Sequence, residues 1–230
     1  MEQLATRGGA LLIVAYAVYQ VLTQSVVQSL VIGALGSTGE VSQVYPLAIG
    51  LPVAVSTALT VGLVVGGTAL GVVAMRALYA DIDAFPTPDH TRRLARTVGA
   101  TIVVSIIVSI AIFVGSLFLL LPGLFLAVNL VFAALVVVIE DAGIVESLKR
   151  SWSLSSGHRF RLFLLGVVIS VVTGLVGFVA GLFTGFDPLV GALASGAVSG
   201  VASVFGVAAL VGAYRQIAGD TADSLDATTV

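Results

Sequence analysis

The side chains able to do chemistry in this chain are few, and their densest group lies in Ile139 to Trp152, IEDAGIVESLKRSW. That stretch holds five charges in a sequence whose charged share is 10%. Lys149, Arg150 and Trp152 sit in it, and Arg159 and Arg161 follow shortly after. Basic groups near a membrane surface attract anionic lipid at roughly 1 kcal/mol each, and an indole ring favours the headgroup depth. The chemistry is therefore recognition. It has two readings: an anchor that fixes topology, or a docking site for a lipid headgroup or a partner protein.

A second polar set is uncharged. Tyr16, Gln20, Gln24 and Gln28 recur every four residues, which places them on one slowly drifting helix face. Hydrocarbon cannot satisfy an amide, so that face must look inward. It either bonds neighbouring helices, at about 0.6 kcal/mol per contact, or lines a path for a neutral or headgroup-bearing solute. Asn129 is the candidate to share it.

Bond-making chemistry finds no set of residues. There is no cysteine, which excludes thiolate catalysis, cysteine zinc sites and disulfides. The charge-free runs Gly8 to Gly39, Val41 to Met75, Thr97 to Ile139, Leu162 to Phe186 and Pro188 to Tyr214 also lack histidine. Intramembrane ionisable groups mark ion-coupled pathways, so coupled pumping and intramembrane proteolysis are not expected. Asp81, Asp83, Asp89 and His90 are competent metal ligands, but their spacing fits a solvated acidic loop. GALGSTG lacks the lysine and the strand-to-helix setting of a phosphate loop. The expectation is a protein that is not an enzyme, with no metal, no cofactor and no nucleic-acid partner.

The elements that must position these residues are membrane crossings. A hydrophobic share of 58% and a mean hydropathy of +1.15 place the chain in the polytopic membrane class. The first apolar run reads as a retained crossing and not a cleaved signal peptide. A crossing takes about 20 apolar residues, so four runs hold one each. Thr97 to Ile139 holds two, divided at LLLPGL by proline and glycine: helix three from about Thr91 to Leu121, helix four from about Leu124 to Ile139. Pro46 and Pro52 fall where a helix entry accepts them.

With six crossings, all ten Lys and Arg fall on one side and Glu40 and Asp187 on the other. Positive-inside bias makes the side with both termini cytoplasmic, in the cell membrane. One membrane domain over 1–216 is followed by an acidic tail, 217–230, expected to be disordered. Nine of the ten basic residues are Arg and eight of the twelve acids Asp, a bias expected of a GC-rich, halophilic archaeal source.

Between crossings four and five, about 141–156, the sequence predicts an interfacial amphipathic helix. Ile144, Val145, Leu148 and Trp152 form its apolar side, Glu146, Lys149, Arg150 and Ser153 its polar side, and Gly157 its end. Small residues at helical spacing mark close-packing faces: Gly191, Ser195, Ser199 and Ser203 beside Gly196 and Gly200; Gly62 and Gly66 beside Gly67 and Gly71; Thr173, Gly177 and Gly181. They serve packing within the chain or a homodimer.

The stretch PGLFLAVNLVFAALVVVIEDAGIVESLKRSWSLSSG combines a Pro-Gly turn, an apolar helix ending in Glu, and a Leu-x-x-Ser-Trp-x-Leu-x-x-Gly segment. It resembles the prokaryotic membrane domain fused to some glycerophosphodiester phosphodiesterases and its stand-alone relatives. The resemblance covers roughly Leu121 to Phe163, with Ser147 where those relatives usually have Ala. It implies an all-helical membrane module serving a lipid-linked process; without the soluble hydrolase domain it carries over no hydrolysis. The expectation is an all-α bundle of six transmembrane helices that binds membrane lipids or a protein partner. The alternative is a permease or lipid-handling component built on the glutamine face.

Overall fold

The computed structural model describes residues 7–36, 45–80, 93–118, 120–184 and 187–228. They form α1 (Arg7–Leu35), α2 (Val53–Ala80), α3 (Leu94–Phe118), α4 (Leu120–Asn129), α5 (Ala133–Glu140), α6 (Ile144–Ser155), α7 (Arg159–Thr184) and α8 (Pro188–Thr228). Among the described residues there is no strand. Six stretches are long and apolar enough to cross a bilayer: Gly8–Leu35, Val53–Ala80, Leu94–Leu117, Leu121–Glu140, Arg159–Val179 and Leu189–Gly219. The chain is an all-α, multi-pass membrane protein. Asp81, Asp83, Asp89 and His90, and GALGSTG beyond Gly36, lie outside the described residues.

The chain packs as two compact units. The first comprises Met1–Leu70 and Ser170–Phe205, the second Gly71–Ile169 and Gly206–Val230.

In the first unit α8 closes on α1. A Cβ at Gly200 would stand 2.5 Å from the Ala17 Cα, and one at Gly196 would stand 2.8 Å from Val21 Cγ2. Glycine at 200 is what lets these backbones meet, the usual means of helix association in lipid. Gly62, Gly66 and Gly177 have nothing within 4 Å of a Cβ position.

The second unit is built on a tight α3–α4 hairpin. A Cβ at Gly123 would fall 2.7 Å from the Ser116 amide nitrogen, so any larger residue would pry the pair apart. Pro122 sits in the first turn of α4 and not between the helices, a position where its missing amide donor is not needed. Val104 of α3 then packs with Ala133 and Val137 of α5, with Ile144 and Leu148 of α6 against them.

Two boundaries differ from the sequence reading. Helix four, expected to run unbroken from Leu124 to Ile139, stops at Asn129 and resumes at Ala133. The Asn129 carbonyl, which an α-helix would bond to the Ala133 amide, is taken by serine hydroxyls of α6, and the Ala133 amide turns to Leu130 O at 3.1 Å. The tail, expected to be disordered from 217, continues α8 as far as Thr228. No glycine or proline follows Gly219, and Ala222, Leu225 and Ala227 suit a helix.

A cationic node on the α4–α5 break

Asn129 is the residue around which the second unit's polar groups are organised. It is fully buried, and its Nδ2 donates to Phe125 O at 2.7 Å, one turn back. That bond leaves Oδ1 as the acceptor facing away from α4. Arg159 Nε, at the start of α7, donates to it at 2.9 Å.

The backbone around Asn129 is held from α6. Ser151 Oγ donates to Asn129 O at 2.9 Å and accepts from the Phe132 amide at 3.2 Å, while Ser155 Oγ donates to Asn129 O at 3.3 Å. A helix break at membrane depth leaves polar backbone groups that hydrocarbon cannot satisfy. The serines supply the missing partners. α6 therefore folds back along α5, an eight-residue helix about 12 Å long, until its last turn reaches Asn129.

The buried face of α6 is wider than its apolar side, since Ile144 and Leu148 pack against the Val104, Ala133 and Val137 cluster and serines are buried beside them. The apolar side read from the sequence was Ile144, Val145, Leu148 and Trp152. The structure buries Ser147, Ser151, Leu154 and Ser155, leaving Val145 64% and Trp152 39% exposed. Ser147, Ser151 and Ser155 recur every four residues, a small polar stripe that carries no sign of burial in the sequence because serine sorts with the polar side.

The two acids at the C-terminal end of α5, Glu140 and Asp141, are paired. Arg76 donates to Asp141 Oδ1 at 3.3 Å, to Thr97 Oγ1 at 3.1 Å and to Val138 O at 3.1 Å, closing the C-terminal end of α5. Glu140 accepts from Arg150 Nε at 3.5 Å and from the Tyr214 hydroxyl. Tyr214 also meets the Phe132 and Tyr79 rings edge-on.

Of the residues singled out from the sequence, Arg150 is thus tied to an acid. Lys149, Arg159 and Arg161 form no ion pair among the described residues, and Lys149 and Arg161 are exposed. Arg159 lies 5.0 Å from the Phe125 ring centroid and 5.9 Å from that of Trp152, and those two rings meet edge-on at 5.7 Å. Flanking rings and the Asn129 bond fix the guanidinium plane. From Arg159 an open groove of about 660 Å³ runs between α4 and α7, walled by Pro122, Phe125, Val128, Phe160 and Phe163.

Asn129 makes its hydrogen bonds with Arg159, α6 and Phe125, all within the second unit. In the first unit, Gln28 Oε1 accepts from the Leu47 amide at 2.8 Å, Ser29 Oγ from the Ile49 amide at 2.9 Å, and Ser25 Oγ donates to Leu47 O at 2.7 Å. These bonds hold a non-helical stretch, 45–50, against α1. Gln20 and Gln24 are half-buried and Tyr16 is buried.

Residues 1–217 match the family described as Domain of unknown function (DUF7847), and the chain belongs to that family. The match makes no connection with glycerophosphodiester phosphodiesterase membrane domains. No curated protein and no solved structure matches the chain.

Proposed function

We propose that this member of a family without an assigned activity is a non-enzymatic membrane module that holds anionic lipid. It would sit in the cell membrane with both termini cytoplasmic, and Lys149, Trp152, Arg159 and Arg161 would form the lipid-binding face. One observation carries the reading: Asp141 and Glu140 are engaged by Arg76 and Arg150, while Lys149, Arg159 and Arg161 form no ion pair among the described residues and Arg159 lies against Trp152. Uncompensated cations at a membrane surface are complementary to phosphate. The resemblance of Leu121 to Phe163 to a domain attached to lipid-processing enzymes points the same way. A permease would require the glutamine face to line a path, and Gln28 is instead bonded to the Leu47 amide.

The test is lipid retention by the full chain extracted from vesicles containing equal phosphatidylglycerol and phosphatidylcholine. Enrichment of phosphatidylglycerol that falls with added salt and with the double variant Lys149→Gln, Arg161→Gln is expected. Equal retention of both lipids in the unaltered protein would refute the reading.

A further inference from the structure

We propose that the Arg159 end of the α4–α7 groove is a site for one phospholipid molecule, its phosphate on the terminal guanidinium nitrogens and a hydrocarbon chain along α4. The inference rests on the anionic-lipid reading and narrows it from a surface to a single stoichiometric site.

The cation is built in. Asn129 is buried and its amide is oriented by Phe125 O, so its Oδ1 fixes Arg159 Nε. Phe125 and Trp152 flank the guanidinium on its way to the groove. With Nε committed to Asn129, the terminal nitrogens have no protein partner among the described residues, and guanidinium nitrogens pair with phosphate oxygens in short charge-assisted bonds. The arrangement orders a cation without neutralising it.

The groove selects what carries the phosphate. Apart from Arg159 its walls are hydrocarbon and aromatic rings, and they extend along helices apolar enough to span a bilayer. Leu121 and Phe160, at its margins, are 73% and 77% exposed. A free phosphate would leave this surface uncovered, and a neutral lipid would leave the guanidinium unmatched. A ligand with an anionic head and an apolar chain satisfies both. The volume falls within the range of ordinary small-molecule sites.

The experiment is native mass spectrometry of the full chain titrated with long-chain phosphatidylglycerol, with thermal midpoints confirming that each variant is folded. One tightly held lipid per chain is expected, with retention about tenfold weaker or worse in Arg159→Lys, which keeps the charge but loses the planar fork. Short-chain phosphatidylglycerol and glycerol 3-phosphate, tried on the unaltered protein, should bind weakly and fail to displace the long-chain lipid. Displacement by glycerol 3-phosphate would show that the groove has no part and overturn the proposal. Retention of the single lipid in Arg159→Lys, with loss in Lys149→Gln, Arg161→Gln, would also overturn it while leaving the anionic-lipid reading intact. Absence of any preference for phosphatidylglycerol would remove both.

Discussion

Two polar regions solve the same problem and end differently. Around Gln28 a non-helical stretch lies against α1, and Gln28, Ser25 and Ser29 bond its amides and a carbonyl. Around Asn129 a helix breaks, and Ser151, Ser155 and Asn129 bond the freed groups. In the first region the polar atoms satisfy the protein's own backbone. In the second they do that and also hold an arginine that no acid pairs among the described residues. The proposed site therefore rests not on the number of polar residues at membrane depth but on what is left over after the backbone is satisfied.

Four substitutions break or sharpen this contrast. Asn129→Leu should have the largest effect, because it leaves Arg159 Nε without its acceptor and frees the start of α7. A hydrogen bond to a charged group contributes about 1.5–3 kcal/mol, so denaturation in mixed micelles should show a loss of that order together with weaker phosphatidylglycerol retention. Ser151→Ala should follow at about 1–2 kcal/mol, since the Phe132 amide loses its partner. Hydrogen exchange should then rise first at 130–133.

Gln28→Leu removes the acceptor of the Leu47 amide, and membrane hydrogen bonds average about 0.6 kcal/mol. A stability loss of roughly that size, with lipid retention unchanged, would keep the two regions distinct. Lys149→Gln should be smallest in stability, within about 0.5 kcal/mol as for other exposed sites. Its effect should appear in lipid preference and its salt dependence, measured by flotation with anionic vesicles.

The crossings were legible because charge-free apolar runs and clustered basic residues are local properties of the sequence. Trp152 and Arg159 were legible as candidates for the same reason. The break at Asn129 was not, since Leu130, Val131 and Phe132 continue the apolar pattern and the interruption comes from serines some twenty residues later. Phe125 and the serine stripe were hidden alike: a ring in an apolar helix and a serine on an amphipathic one carry no signal until α6 folds back. Asn129 drew attention as a polar residue among hydrocarbon, but its partner Arg159 lies thirty residues away, and no periodicity links them.

The deciding measurement is the rise in thermal midpoint that phosphatidylglycerol produces in bilayer discs, compared between Gln28→Leu and Lys149→Gln, Arg161→Gln. A ligand that binds only the folded state raises its stability by mass action. The rise should be the same in Gln28→Leu as in the unaltered protein and should shrink in the double variant. An equal rise in all three proteins, or a rise lost in Gln28→Leu alone, would contradict the assignment of the lipid face to the Asn129 region.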